Sequence, residues 1–183
     1  RQHLAQDIQV GRAVEPDVVQ AVLPVEHRGQ AVDEGLAPGA VEDPLVGTTL
    51  DGRYLVKKRI GEGGMGIVDA AQHVIIDKRV AIKVLREDFS RRADVVERFR
   101  QEAKSASRIQ NQHIVDISDF GEVPSGESYF VMEFLEGEDL SSVLKRESTL
   151  KPDRAVRIAL ACTDALGSAH EAGIVHRDMK PEN

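Results

Sequence analysis

Three glycines in the spacing Gly61-x-Gly63-x-x-Gly66 stand between two β-branched stretches, Tyr54–Ile60 and Ile67–His73. This placement limits the fold more than any other feature of the chain. Glycine reaches backbone dihedrals closed to other residues and lets a phosphate come close to the main chain. A dinucleotide-binding fold needs a helix directly after such glycines, with its N-terminus aimed at a pyrophosphate. Here the glycines lead into Ile67-Val68 and a second strand pattern. The dinucleotide fold and its oxidoreductase chemistry are therefore set aside, and a glycine-rich hairpin, with or without a ligand, remains.

The segments around the hairpin extend the pattern. Arg79–Leu85, Ile114–Phe120 and Tyr129–Phe134 read as three more strands, the last two joined by a turn at Val123-Pro124-Ser125-Gly126-Glu127. From about Ser90 the period becomes helical, with Val95 or Val96, Phe99, Ala103 and Ala106 on one face. Asp139 is placed to cap a short helix holding Leu140, Val143 and Leu144. A longer helix is expected after Pro152, with Ala155, Ile158, Ala159, Cys162, Leu166 and Ala169 on its stripe and Gly173 as its stop. Strands followed by helices predict an α+β fold, a mostly antiparallel sheet with a helical part behind it.

Two further segments carry chemistry. In Val80-Ala81-Ile82-Lys83 a lysine closes an apolar strand. Taken alone it is an edge lysine reaching outward to solvent; the alternative is a cation for phosphate oxygens, positioned by an acid on the next helix. Glu102, one turn beyond Phe99, is the candidate, and a solvated helix carboxylate is the competing reading. The segment His176-Arg177-Asp178-Met179-Lys180-Pro181-Glu182-Asn183 puts a carboxylate, an amine and an amide within reach of one loop. Such a set can accept a hydroxyl proton, neutralise phosphate charge and ligate a divalent cation. His176 reads as a loop anchor, because no second histidine or cysteine has ligand spacing with it.

In this order the motifs resemble the N-terminal part of a eukaryotic-type protein kinase domain of the bacterial serine/threonine kind. The resemblance covers about Tyr54 to Asn183. It implies a five-stranded antiparallel N-lobe sheet with one helix, followed by the first helices of an incomplete helical C-lobe. It also implies ATP and Mg2+ as cofactors and proteins bearing Ser/Thr as substrates. Ile60, Gly61, Glu62, Gly63, Gly64, Met65 and Gly66 would then cover the nucleotide phosphates, and Val68 and Ala81 would line the adenine slot. Lys83 would contact the α- and β-phosphates with Glu102 as its ion-pair partner. Met132 would be the gatekeeper, the backbones of Glu133 and Leu135 would bond adenine, and Asp139 would contact ribose. Asp178 would be the catalytic base, Lys180 a phosphate contact, Asn183 the magnesium ligand, and Arg177 a partner for activation-loop phosphate. In the family the Asp-Phe-Gly magnesium motif follows the catalytic-loop segment, and this sequence stops at Asn183. This chain is accordingly expected to be a fragment, inactive alone, with a non-catalytic or pseudokinase-like nucleotide-binding module as the alternative.

Composition sets the boundaries. All seven aromatic residues lie between Tyr54 and Phe134, whereas residues 1–45 hold four of the seven prolines and three basic against eight acidic residues. Residues 1–46 are therefore expected to be a loosely structured leader. Residues 47–183 then form the kinase portion, with N-lobe 54–135, hinge 132–138 and partial C-lobe 139–183. The chain starts at Arg1 rather than Met, which also suggests a fragment or a mistranslated upstream stretch. A net charge of −7 leaves no basic footprint for nucleic acid. No apolar run is long enough to span a bilayer, and the single Cys162 excludes an internal disulfide. A cytoplasmic setting follows, with any membrane anchor of the parent protein lying in a segment outside this chain.

Overall fold

The computed structural model describes residues 12–14, 18–20, 44–176 and 179–181. Its main sheet contains β3 (Thr49–Leu50), β4 (Tyr54–Glu62), β5 (Gly66–His73), β6 (Lys78–Leu85), β7 (Ile117–Glu122) and β8 (Ser128–Glu133). Two strands precede them, β1 (Arg12–Val14) and β2 (Val18–Gln20). The sheet is antiparallel throughout, in the order β3-β4-β5-β6-β8-β7. The five expected strands are present, and β3 adds a sixth at the edge. Its two residues are too short a run to produce a periodicity signal.

Alternation along the central strands explains both cores. On β6, Val80, Ile82 and Val84 join one buried cluster with Tyr54, Val56, Tyr129 and Val131, while Ala81 and Leu85 join a second on the opposite face. On β8, Tyr129 and Val131 go with the first cluster and Phe130 and Met132 with the second. A strand buried on both faces in this way reads as a continuous apolar run, as β6 and β8 do. The first face is curled closed. Tyr54 Oη donates to Asp119 Oδ2 on β7 at 2.8 Å, Arg53 pairs with the same carboxylate at 2.9 Å, and Tyr129 Oη bonds Asp51 in the β3–β4 turn. A β-carbon at Gly121 would lie 2.7 Å from Asp51 Oδ2 and 2.8 Å from the Tyr129 ring, so this close approach requires glycine.

The second face is covered by α2 (Ala93–Ala106), which follows the single turn α1 (Glu87–Ser90). The buried positions of α2 are Val95, Phe99, Glu102, Ala103 and Ala106, the three-and-four spacing of an amphipathic helix. Phe99 stacks on Phe130 with centroids 4.8 Å apart. Burying such a side chain contributes about 1.5–3 kcal/mol.

Beyond β8 the chain forms β9 (Glu138–Asp139), α3 (Leu140–Glu147) and α4 (Pro152–Glu171). Pro152 begins α4, where its missing N–H costs nothing, and Gly173 follows its end at φ +78°. The expected stripe on α4 needs correction. Ala161, Ala165 and Ala169 are the buried residues, Ile158, Cys162 and Leu166 are half-buried, and Ala155 and Ala159 are exposed. α4 runs close to β2, and its buried residues lie from Ala161 onward. There Ala165 packs on Ile114, and Asn111 donates to Asp164 Oδ2 and Ser168 Oγ, both at 2.8 Å. Its N-terminal half leaves Val156 57% and Leu160 63% exposed. From residues 1–43, β1 and β2 form a short antiparallel pair, and β1 pairs in turn with β9. The rest of residues 1–43 lies outside the described residues.

Candidate active site

Strand parity decides where Lys83 points. It lies between Ala81 and Leu85 on β6, so its side chain shares their face, beneath α2. Glu102 stands on the buried face of α2, three residues beyond Phe99. The two meet: Lys83 Nζ donates to Glu102 Oε1 at 3.1 Å, with the residues 2% and 9% exposed. The outward-reaching edge lysine is thereby excluded. The ammonium also lies 5.9 Å from the Phe99 centroid and 5.6 Å from that of Phe130. Sequence reasoning placed Phe99 in the core and missed both ring contacts, since neither cross-strand register nor the seating of a helix on a sheet leaves a trace in local periodicity.

The glycine segment closes over this pair. Gly63 N donates to Gly66 O at 2.8 Å across the turn, and Arg86 N donates to Met65 O at 3.0 Å. A β-carbon at Gly66 would lie 2.9 Å from Val84 O and 3.5 Å from both Cγ and Cε of Lys83. Bare backbone therefore sits against the lysine stem. Gly61 and Gly66 are buried, while Glu62, Gly64 and Met65 are exposed at the tip. Glu62 there pairs with Arg59 and Arg86, each at 3.3 Å.

The residues expected along the adenine slot come together. Val68, Ala81, Met132 and Leu135 belong to one buried cluster, and Ile60 packs against it. Glu133 N donates to Asp116 O at 3.0 Å, which leaves any adenine contact from Glu133 to its carbonyl. Arg79 pairs with Glu136 and lies 5.0 Å from the Phe134 centroid, tying the start of β6 to the segment after β8. Asp139 is occupied as a cap. Its Oδ1 accepts from Ser142 N at 2.7 Å and its Oδ2 from Ser142 Oγ at 2.8 Å.

On the C-terminal side, His176 is buried, in keeping with a loop anchor, and Lys180 is half-buried. Ser141 N donates to Pro181 O at 2.9 Å, so the residue after Lys180 is fastened to the first turn of α3. Arg177, Asp178 and Asn183 lie outside the described residues. Among the described residues no group of three or more His, Cys, Asp or Glu gathers to hold a metal ion. None of the described helices is long and apolar enough to cross a membrane.

A buried amine–carboxylate pair beneath a glycine turn, beside an apolar slot, can hold a polyphosphate with a flat heteroaromatic base. The bare backbone at Gly66 and the cationic donor at Lys83 fit such a group. Comparison with known proteins agrees. The family model described as "Protein kinase domain" matches residues 54–183. The chain is 43% identical over 141 residues to serine/threonine-protein kinase pkn3 of Myxococcus xanthus, covering 77% of this chain and 26% of that protein. It is 41% identical over 139 residues to PrkC of Bacillus subtilis, covering 76% and 21% respectively. The solved kinase domain of M. tuberculosis PknI superposes with a TM-score of 0.64 at 30% identity, over 75% of this chain and 55% of that one. The chain thus spans about a quarter of the length of the curated relatives it matches.

Proposed function

Because the chain belongs to the protein kinase family through residues 54–183, we propose that its parent protein transfers the γ-phosphoryl group of ATP to serine or threonine hydroxyls of proteins. The observation that carries this reading is the buried Lys83–Glu102 pair at 3.1 Å beneath Gly66. Phosphoryl transfer depends on positioning and on stabilising charge that spreads over oxygens, with little covalent work left to the protein. Lys83 supplies a fixed positive charge toward the α- and β-phosphates, and Glu102 keeps its flexible stem from wandering. Val68, Ala81, Met132 and Leu135 hold the base, and the glycine turn excludes water above the phosphates. Asp178 accepts the proton as the substrate oxygen bonds to the γ-phosphorus. The bond to the bridging oxygen breaks, and ADP leaves with its electron pair. Lys180 screens charge on the transferring group. A Mg2+ ion, when bound, neutralises phosphate charge, and Asn183 is its proposed ligand.

On this reading the kinase portion runs over residues 47–183. Its upstream limit is supported by Gly47, which donates its N–H to Val56 O at 2.9 Å and so is tied to β4. The lobe boundary falls in the segment after β8, residues 132–138, and the domain works in the cytoplasm, where ATP is abundant. The 183-residue chain covers 55% of a solved kinase domain. Alone, it is expected to bind ATP without turning it over.

The test has two arms. In the parent protein, Lys83→Met and Asp178→Asn should each lower phosphorylation of a protein substrate by at least about a hundredfold; unchanged turnover in both defeats the proposal. In the 183-residue chain, ATP at a hundred times its Kd should raise unfolding stability by about 2.7 kcal/mol, and Lys83→Met should remove most of that gain.

A further inference from the structure

The Lys83 ammonium lies against two neighbouring aromatic rings that come from different elements. Phe130 is the direct cross-strand partner of Lys83 on β8, and its centroid lies 5.6 Å from Nζ. Phe99 is on α2, one turn before Glu102, with its centroid 5.9 Å from Nζ. The rings are 4.8 Å apart and inclined at 34°, and Phe120 packs on Phe99 at 6.1 Å. All of this is buried, with Phe130 0% and Phe99 3% exposed.

We propose that Phe99 and Phe130 are positioning residues for Lys83, holding its ammonium through the negative faces of their rings in addition to filling the core. A cation within about 6 Å of a ring centroid is attracted by the ring quadrupole, most strongly where water is excluded. The two rings divide the work. Phe130 fixes the ammonium relative to the sheet, whatever α2 does. Phe99 shares a helical face with Glu102, so ring and carboxylate arrive together when α2 packs and depart together when it shifts. The sheet-borne ring thus holds the amine near its working place before the helix-borne partners engage. The consequence for catalysis rests on the nucleotide-binding reading above; the positioning itself does not.

The test uses ring fluorination, which drains the ring face of electron density and barely alters its shape. Phenylalanine and its mono-, di- and trifluoro analogues are placed at position 99 or 130 of the 183-residue chain, with Phe99→Leu as a packing control. The first readout needs no nucleotide: the acylation rate of Lys83 relative to the exposed Lys57. The buried amine is acylated only when it leaves its place between α2 and the sheet, and a weaker ring holds it there less firmly. The ratio should climb stepwise with fluorine number, about fivefold across the series, while the midpoints of denaturant unfolding stay together. A flat ratio across both series overturns the proposal even if Phe99→Leu alters it, because shape alone then accounts for the rings. The second readout is ATP affinity, which should weaken over the same series by a similar factor. A sloping acylation series with flat ATP affinity supports the positioning and removes the nucleotide contact at Lys83, so the two readings fail separately.

Discussion

A lysine exposed over 2% of its surface keeps its charge only beside groups that replace water, and Glu102 is one such group. Truncating one partner of a buried pair strands the other in a poor solvent. Glu102→Ala is therefore expected to cost about 3–5 kcal/mol of stability, measured by denaturant unfolding; a loss below about 1 kcal/mol would mean that the pair is solvated after all. The exposed pair Arg91–Glu87, at 3.0 Å, is the contrasting case. Exposed pairs are worth about 0–1 kcal/mol, so Glu87→Ala should barely register. Glu102 was readable as a candidate from helix spacing, which puts it on the face that carries Phe99 and Ala103; Lys83 taken alone read as an outward edge lysine, and only the resemblance paired the two. The rings around Lys83 were not legible, since which residue of β8 faces residue 83 depends on register and where Phe99 meets it depends on how α2 sits on the sheet.

Among the elements, α3 begins with a side chain asked to do two jobs. Asp139 caps the helix through Oδ1 and accepts from the Ser142 hydroxyl through Oδ2, yet family resemblance assigns it to ribose. Asp139→Ala should cost about 1 kcal/mol through the lost cap, whereas Asp139→Asn keeps a capping oxygen and most of that stability. If Asp139 also serves ribose, Asp139→Asn weakens ATP binding at unchanged stability; an affinity equal to that of the parent chain confines it to capping. The cap was readable as Asp139 ahead of an apolar helical pattern. The face of α4 was not. Its small-residue stripe at Ala161, Ala165 and Ala169 shows only when Asn111 and Ile114 are known to approach it. Close approach favours alanine there over the larger Ile158 and Leu166, which hydrophobic periodicity weights more heavily.

Over the whole molecule, the sheet is held closed by hydroxyl–carboxylate bonds between residues distant in the chain, and those bonds set its alkaline limit. Burial foremost, then the bond to Asp119, pushes the Tyr54 hydroxyl up to about 12. Burial and the bond to Asp51 push Tyr129 well upward too. In the unfolded chain both ionise near pH 10. Between these limits the folded chain keeps protons that the unfolded chain gives up. The stabilisation is complete below about pH 10 and is lost as pH climbs to about 12. With two tyrosines and no tryptophan, tyrosinate absorbance reports this directly: the native chain should show almost none at about pH 10.5. Half-ionisation near pH 10 with the circular dichroism still native would disprove the assignment. The same closure governs how the chain leaves the ribosome. Asp51 is made 78 residues before Tyr129, a wait of about 4–16 s at ordinary translation rates. During that interval β4, β5 and β6 are made in turn with Tyr129 still missing, and a nascent-chain chaperone has its longest opportunity on this unlatched ribbon.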